Sequence, residues 1–232
     1  MVEPLFQVSV DCAYCQSPFQ TSRVRPSFKK ATQTDTDFCI HYKEVNPDFY
    51  VVRVCPQCGY ASTENTASQF TPAQRAVFKE KVADHWTAKD YGGERNWDDA
   101  LQTYKLALLC AQIKSEKGRV MAGLLHHIAW LYRYKQEEEQ EKRFLRFALE
   151  AYTSVFETEA GEINNARLMY LLGELSRRLQ QYGDAIKWFG RVINDKRIMD
   201  AGMIRASREQ WAVTREDMLA AKLELPEEMR TS

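Results

Sequence analysis

Two pairs of cysteines carry the strongest chemical signal in the sequence. They are Cys12 with Cys15 and Cys55 with Cys58, each pair with two residues between the thiols. Two thiolates spaced in this way sit on one tight turn and can bind the same ion at about 2.3 Å. Six cysteines among 232 residues are too few for a disulfide scaffold. We therefore predict one tetrahedral site with four cysteine ligands, and Gly59 lets the backbone turn beneath the second pair.

Zinc is the ion that this ligand set favours, as one structural Zn²⁺ per chain. A closed set of four thiolates leaves no open coordination position, which is typical of structural zinc. Iron is the less favoured alternative, because thiolates also bind iron and a rubredoxin-like electron carrier uses a loop similar to Cys55-Pro-Gln-Cys58-Gly59. A redox dithiol is disfavoured, since two pairs indicate a metal and no thioredoxin-like βαβ pattern surrounds either pair.

Other residues with ligand chemistry are fewer. Cys39 and His41 lie between the two pairs, where either could replace a ligand or form an accessory metal site, although four cysteines already complete a tetrahedron. Cys110 lies in an apolar helical stripe and is predicted to be a buried core thiol. Motifs of serine hydrolases, zinc proteases and phosphate-binding loops are absent from the sequence, which favours a protein without catalytic residues.

The distribution of prolines indicates how the chain is organised. Six of the seven prolines lie at or before residue 72, and the long proline-free stretch that follows predicts helices. Two β-type runs, Phe6–Val10 and Phe49–Val54, each lead into a cysteine pair. We predict a mainly α fold class with a small zinc-ribbon-like β and loop module over residues 1–70. An all-α helical-hairpin domain follows over 71–225, and a frayed tail over 226–232.

Sequence signals for helices within residues 71–225 suggest that the helices occur in pairs. Thr71 before Pro72 and Asn96 before Trp97 predict two helix starts. In the segment that contains Gly173, Ala185 and Phe189, small residues would let two helices approach while the phenylalanine fills the gap. This segment resembles a tetratricopeptide repeat (TPR), and the run that starts at Trp97 resembles half of another. The alternative is an ordinary helical bundle, which would use the same apolar stripes in one closed core.

In a solenoid of such pairs, the first helix of each pair lines the concave face. Residues on that face that packing does not need are candidates for a partner-binding groove. A basic groove would suit an acidic segment or a C-terminal carboxylate, and the alternative is that these residues lie on solvated helix faces. The candidates are Arg119, His126, Trp130, Arg133, Arg167, Tyr170, Glu174, Arg177 and Arg178.

Several motifs in the first 65 residues occur together. They are Asp-Thr-Asp-Phe-Cys at 35–39, Asn46-Pro47, and Val-Cys-Pro-Gln-Cys-Gly-Tyr-Ala at 54–61. With these motifs the sequence resembles the bacterial domain-of-unknown-function family 2225. The resemblance implies a zinc-ribbon-type module fused to tetratricopeptide-like helices, and the family's paired cysteines fall on the four cysteines above. Because no activity is assigned to that family, the resemblance leaves the function open.

A group of aromatic and polar residues accompanies these motifs. A small metal module has little core of its own, so its aromatic residues would wrap the cysteine turns or dock them on the helices. The alternative is a surface site beside the metal, in which Asp37 and Asn46 supply polar contacts. The group consists of Asp37, Phe38, Tyr42, Asn46 and Tyr50.

Charge and hydropathy narrow the function classes. The 32 basic residues balance 32 acidic ones, so no excess positive charge attracts nucleic acid or an anionic membrane. No apolar run approaches the roughly 20 residues of a membrane-spanning helix, and the first residues lack the pattern of a signal peptide. These features predict a cytoplasmic bacterial protein that is not bound to a membrane.

The sequence therefore favours a noncatalytic interaction protein, an adaptor or scaffold that binds a protein or peptide through its helical groove. A nucleic-acid-associated regulator is the alternative, because zinc ribbons often contact DNA or RNA and four basic residues lie between the cysteine pairs. These are Arg23, Arg25, Lys29 and Lys30. A rubredoxin-like iron electron carrier is a lesser alternative.

Overall fold

The computed structural model describes residues 2–159 and 165–230. The chain divides into two compact units, residues 1–144 and 145–232. The division between residues 144 and 145 falls inside the helix Glu138–Glu159. It therefore does not coincide with the boundary at residue 70 that the prolines indicate. Of the predicted C-terminal tail, residues 231 and 232 lie outside the described residues.

The first unit contains six short strands that form three separate antiparallel hairpins. An isolated two-stranded hairpin is marginally stable in water, so each hairpin depends on what packs against it. The pairs are β1 (Leu5–Asp11) with β2 (Pro18–Val24), β3 (Ala31–Thr34) with β4 (Ile40–Tyr42), and β5 (Arg53–Val54) with β6 (Ala61–Ser62).

The two predicted β-type runs fare differently. The run Phe6–Val10 is confirmed, since it lies inside β1. The run Phe49–Val54 is mostly wrong, because a 3-10 turn covers Pro47–Tyr50 and only the last two residues form a strand. The turn prevails because the Asn46 side chain accepts a hydrogen bond from the Asp48 N–H at 2.9 Å and Pro47 has no N–H for a ladder.

Eight helices follow the strands in the described residues. The two predicted helix starts are confirmed, and each carries a reciprocal capping box, Thr71 with Gln74 and Asn96 with Asp99. The helices are α1 (Pro72–Lys81), α2 (Trp97–Ile113), α3 (Gly118–Tyr134), α4 (Glu138–Glu159), α5 (Ala166–Arg178), α6 (Tyr182–Asn194), α7 (Ala201–Ala220) and α8 (Glu227–Arg230).

One hydrophobic core joins the cysteine turns to the first three helices. It contains Cys12, Cys55 and Cys58 together with Phe78 of α1 and Leu131 of α3. Cys110 of α2 is fully buried in the same core, which confirms it as a core thiol. A module of about 70 residues would bury little apolar surface by itself. The helices supply that surface, and the cysteine module and α1–α3 therefore form one folding unit.

The second unit consists of helices packed against their sequence neighbours. A Cβ placed on Gly173 of α5 would lie 2.6 Å from the Phe189 ring of α6, which confirms the close approach predicted for this pair. The C-terminal segment differs from the predicted frayed tail. Met229 of α8 is fully buried against Ile186 and Met218, because apolar contacts hold this short helix in place.

Candidate metal centre

Each cysteine pair forms the turn of a β-hairpin. Residues 12–17 connect β1 to β2, and residues 55–60 connect β5 to β6. The two turns share one geometry, because in each the N–H of the fifth residue donates to the carbonyl of the first cysteine at 2.9 Å. Those fifth residues are Gln16 and Gly59, and both have a left-handed backbone, with φ of 62° and 73°. The fold thus presents two equivalent metal-binding turns.

The two turns face each other through their sulfur atoms. Cys12 Sγ lies 3.6 Å from Cys58 Sγ, and Cys15 Sγ lies 3.6 Å from Cys55 Sγ, while all four sulfurs lie within 4.8 Å of one another. A tetrahedron with metal–sulfur bonds of about 2.3 Å has sulfur–sulfur edges of about 3.8 Å. The four cysteines predicted from the sequence are therefore brought together with the spacing that one metal ion requires.

Backbone N–H groups stabilise charge on the sulfurs. Cys12 Sγ accepts from the N–H groups of Tyr14 and Cys15, and Cys55 Sγ accepts from those of Gln57 and Cys58. The hydrogen bond from Cys58 lowers the pKa of the Cys12 thiol to about 5, and the same bond raises the pKa of Cys58. Burial raises the pKa of Cys55 to about 11. Adjacent buried thiols keep protons that a divalent cation would displace, as metal binding to thiolates requires.

Residues that follow the module cover both turns. The Tyr14 ring packs on Phe78 of α1 with ring centroids 4.4 Å apart, and the Arg75 guanidinium stacks 4.7 Å from the centre of the same tyrosine ring. Trp86 donates from Nε1 to the Pro56 carbonyl at 2.8 Å. A Cβ on Gly59 would lie 2.5 Å from the Trp86 ring, so glycine is needed there both for φ and for this contact.

A second polar cluster lies around the 35–39 turn, which joins β3 to β4. The Asp37 side chain is fully buried and accepts two hydrogen bonds from Arg133 of α3, at 2.8 and 2.7 Å. Trp130 Nε1 donates to the same carboxylate at 3.2 Å, and His126 Nε2 lies 3.3 Å from it. A two-pronged arginine contact is the strongest form of carboxylate pairing. This contact fastens the β3–β4 turn to α3.

The candidate accessory metal residues belong to the same cluster. Asp35, Cys39 and His41 offer ligand atoms within 4.8 Å of one another. Asp35 Oδ2 accepts from Arg133 at 2.8 Å and lies 2.9 Å from His41 Nε2. Burial opposes ionisation of Asp35, but the contacts with His41 and Arg133 lower its pKa overall. The guanidinium is therefore already the cation that balances this carboxylate.

Cys39 itself is fully buried. Its thiol donates to the Tyr134 hydroxyl at 3.4 Å, and that hydroxyl donates to the Ile40 carbonyl at 3.0 Å and lies 3.0 Å from Asp48 Oδ2. Burial raises the pKa of the Cys39 thiol to about 12. The thiol is thus engaged with Tyr134 in this structure, and a metal ion at Cys39 and His41 remains a prediction.

Some members of the aromatic and polar group predicted around residues 37–50 contribute to packing. Tyr50 is buried, and its hydroxyl accepts from the Arg95 N–H at 3.2 Å. Asn46 caps the turn described above, while Tyr42 and Phe38 are half-buried, Phe38 with a left-handed φ of 70°. Asp37 is buried in its arginine pair, so these residues position backbone and helices rather than forming one exposed site.

The predicted groove residues on α3 lie in the first unit's interior. His126 and Trp130 are buried, and Arg133 is held by Asp35, Asp37 and by Glu141 at 2.8 Å. Arg119, at the start of α3, is half-buried. Asp35 and Asp37 thus neutralise the positive charge of Arg133 on this helix, and a partner-binding role for these residues stays a prediction.

The predicted groove residues on α5 are also largely engaged. Tyr170 and Glu174 are buried. Glu174 accepts from Arg177 at 2.9 Å and from Arg178 at 2.8 Å, and Arg177 also pairs with Asp217 of α7 at 2.8 Å. Arg167 is exposed. The charges of Glu174, Arg177 and Arg178 are therefore paired within the second unit, and a partner-binding role for the α5 residues stays a prediction.

The four basic residues between the cysteine pairs do not form one patch of free charge. Arg23 pairs with Glu64 at 2.6 Å, and Arg25 donates to the Glu3 carbonyl at 3.0 Å. Lys29 and Lys30 are exposed. Two exposed lysines are a small basis for contacts with several phosphates.

Sequence reasoning missed residues that hold the candidate sites in place. Trp86 and Tyr134 act through contacts with residues 30 and 95 positions away, and Glu141 pairs with Arg133 across the turn between α3 and α4. Arg95 is buried and donates to the carbonyls of Phe49 and Val52 at 3.0 and 2.8 Å; burial lowers its pKa to about 10. The adjacent Gly92-Gly93 pair signals a loop, but it does not signal that an arginine in this loop would anchor the 47–52 turn.

Two hairpin turns that bring four thiols together, with helices completing their core, define a mainly α protein with a zinc-ribbon-like metal-binding module. The chain belongs to the family described as uncharacterized protein conserved in bacteria (DUF2225), whose sequence profile matches residues 5–214. This finding confirms the resemblance seen in the motifs. Neither a curated protein nor a solved structure matches the chain.

Across residues 2–159 and 165–230, no helix is both long enough and apolar enough to cross a bilayer.

Proposed function

We propose that this protein is a noncatalytic adaptor or scaffold of the bacterial cytoplasm. One structural zinc ion stabilises the unit of residues 1–144, and the TPR-like helical pairs of the other unit offer a surface to a protein or peptide partner. The observation that carries the zinc assignment is the closed set of four sulfurs, three of them on buried cysteines. Four thiolates fill a tetrahedron and leave no position for a water that the metal could activate.

The location of the sulfurs also supports a structural role. They belong to the same core as Phe78, Tyr104 and Leu131, so an ion bound there stabilises the packing of strands on helices. Structural metal binding contributes directly to folding free energy. The packing of α5 on α6 through Gly173 and Phe189 supports helical pairs of the tetratricopeptide type in the second unit.

Elemental analysis of protein purified without added metal tests the metal assignment. We expect one zinc per chain and a colourless protein. One iron per chain with visible absorption would replace the proposal with an electron carrier, because an iron tetrathiolate is coloured. Cys110→Ala is the matched control, since Cys110 is a buried thiol outside the four-sulfur cluster, and this variant should keep the full metal content.

Purification from the native host with mass spectrometry tests the adaptor role. A protein that co-purifies in a fixed ratio with the wild type supports it, provided that purified components re-form the complex. Nucleic acid that co-purifies and is released by salt would instead favour the regulator, particularly if Lys29→Ala/Lys30→Ala abolishes its binding.

A further inference from the structure

The second unit contains a cleft whose lining differs from that of the predicted groove. It lies between α6 and α7 and has a volume of about 590 Å³. Three cations surround a floor of apolar side chains, and none of the described residues that line the cleft is acidic. The lining residues are Ile186, Lys187, Gly190, Arg191, Ile193, Asn194, Arg208 and Trp211.

The cations of the cleft are available to a ligand to different degrees. Lys187 pairs with Asp184 of its own helix at 3.1 Å. Arg191 is exposed and stacks on Trp188, with its guanidinium 4.6 Å from the ring centre. Arg208 is exposed on α7. Within residues 165–230, neither Arg191 nor Arg208 has a carboxylate within ion-pair distance, so the cleft carries uncompensated positive charge over an apolar floor.

The chain's own C-terminal segment shows what kind of peptide this surface accepts. Met229 and Leu225 pack with Ile186 and Trp211, two residues that also line the cleft. Arg215 of α7 donates to the Met229 carbonyl at 3.2 Å. The sequence around these apolar anchors is acidic, Leu-Glu-Leu-Pro-Glu-Glu-Met at 223–229. An acidic segment with large apolar side chains already lies beside the cleft.

Gly190 contributes to the space within the cleft. A Cβ on this residue would find its nearest neighbour, Asn194 Nδ2, at 4.0 Å, so the position opens into free space. A bulky side chain there would fill the cleft and leave its charges unchanged. Steric access and electrostatic attraction can therefore be tested separately.

We infer that the α6–α7 cleft is a docking site for an acidic peptide segment that inserts a leucine-, methionine- or phenylalanine-type side chain over Ile193 and Trp211, which line the cleft and are half-buried. Arg191 and Arg208 bind the flanking carboxylates in charge-assisted hydrogen bonds. This inference rests on the proposed adaptor function and names its site and class of partner. Apolar anchors between charged contacts are the usual means by which helical grooves recognise peptides.

Fluorescence anisotropy with a labelled Glu-Glu-Leu-Phe-Glu-Glu-Leu peptide tests the inference on the full-length, metal-loaded protein. We expect saturable binding that weakens as salt rises from 50 to 300 mM. The double variant Arg191→Glu/Arg208→Glu should weaken binding at least tenfold, and so should Gly190→Leu. Arg205→Glu is the matched control, because Arg205 is exposed on the same helix but does not line the cleft; it should bind like the wild type.

Three outcomes would overturn the inference. These are no binding by the wild type, equal binding by the wild type and both cleft variants, and stronger binding of a matched peptide with lysine in place of glutamate. Cleft-dependent binding of phosphatidylserine vesicles or of an oligonucleotide, without peptide binding, would also overturn it. If a native partner binds the cleft variants as tightly as the wild type, the inference fails while the adaptor proposal stands.

Discussion

Different interactions stabilise the interior of each of the two units. Residues 2–144 contain three two-stranded hairpins, α1–α3 and the start of α4. Their hydrophobic core includes thiols of the four-cysteine cluster, and a buried carboxylate pairs with an arginine of α3. In the second unit, α5 packs against α6 and α6 against α7, and α5 also contacts α7. The first unit contains contacts between residues 96 positions apart, Asp37 with Arg133. The ion pair that links α5 to α7 in the second unit, Arg177 with Asp217, spans 40 positions.

This difference shows how short β elements are stabilised in a small protein. A hairpin of two- to seven-residue strands buries too little surface to persist alone. The metal turns and the Asp37–Arg133 pair link such hairpins to helices. Helical pairs need no such links, because each helix satisfies its own backbone and buries an apolar face against its neighbour.

Loss of one predicted metal ligand should produce the largest difference in stability between the two units. In Cys55→Ser we expect loss of the metal and unfolding of residues 5–144, including α1–α3, because their core contains the site. Structural zinc contributes about 10–16 kcal/mol in small metal-binding peptides, which exceeds the stability of many domains. Hydrogen exchange should show lost protection there and retained protection in residues 166–220. Full metal content in this variant, or equal loss of protection in both units, would contradict the comparison.

Removal of the buried arginine should have the next largest effect. Arg133→Met leaves the Asp37 carboxylate buried without its main cation, and breaking a buried pair costs about 3–5 kcal/mol. Denaturant unfolding of the metal-loaded protein measures the loss. The double variant Asp37→Asn/Arg133→Met should recover part of it, because a neutral amide replaces the fully buried Asp37 carboxylate. A loss below about 1 kcal/mol in Arg133→Met would show that the pair does not stabilise the first unit.

A helix-packing variant should affect only the second unit. Gly173→Ala places a methyl group 2.6 Å from the Phe189 ring, and overpacking of this kind costs about 1–3 kcal/mol. Gly183→Ala is the matched control, since nothing lies within 4 Å of its added Cβ. We expect a lower melting temperature for the second unit in the first variant only, and a shift that is the same with and without a chelator. Equal melting of the two variants would refute tight packing at Gly173.

The smallest expected effect is a change in pH dependence. Burial lowers the pKa of His126 below its usual value, although Asp37 opposes this and His127 and Arg133 also face the ring. Because the folded state disfavours the protonated form of His126, its contribution to the free energy of unfolding is greatest above about pH 6.5. This contribution decreases as pH falls below that value. His126→Gln should therefore reduce the loss of first-unit stability below pH 6.5 at equal metal content. Identical pH profiles for variant and wild type would exclude this role.

Local patterns were sufficient to predict the four-cysteine site and the helix starts. Because only two residues separate the cysteines of each pair, both thiols lie on one turn. The structure has this arrangement in both hairpins. The Thr71 and Asn96 caps are equally local, since each involves a residue only three positions away. The close approach of α5 and α6 was also predictable, because Gly173 and Phe189 belong to one short helical pair.

The partner-binding residues could not be predicted in the same way. His126, Trp130 and Arg133 have the spacing of an exposed helix face, but Asp37 lies nearly a hundred positions earlier in the chain. Only folding shows that its carboxylate lies opposite this face. The α6–α7 cleft was missed for a similar reason, since Arg191 and Arg208 are on different helices and no sequence pattern pairs them.

The sequence by itself determined the four-cysteine cluster, the mainly α fold class and two capped helix starts, because turn geometry, capping and proline placement act over a few residues. Only the tertiary structure decided the extent of the first unit, the burial of the arginine and histidine of α3, and the position of the charged cleft. Those properties depend on which distant surfaces meet, and burial and charge pairing are settled only when they do.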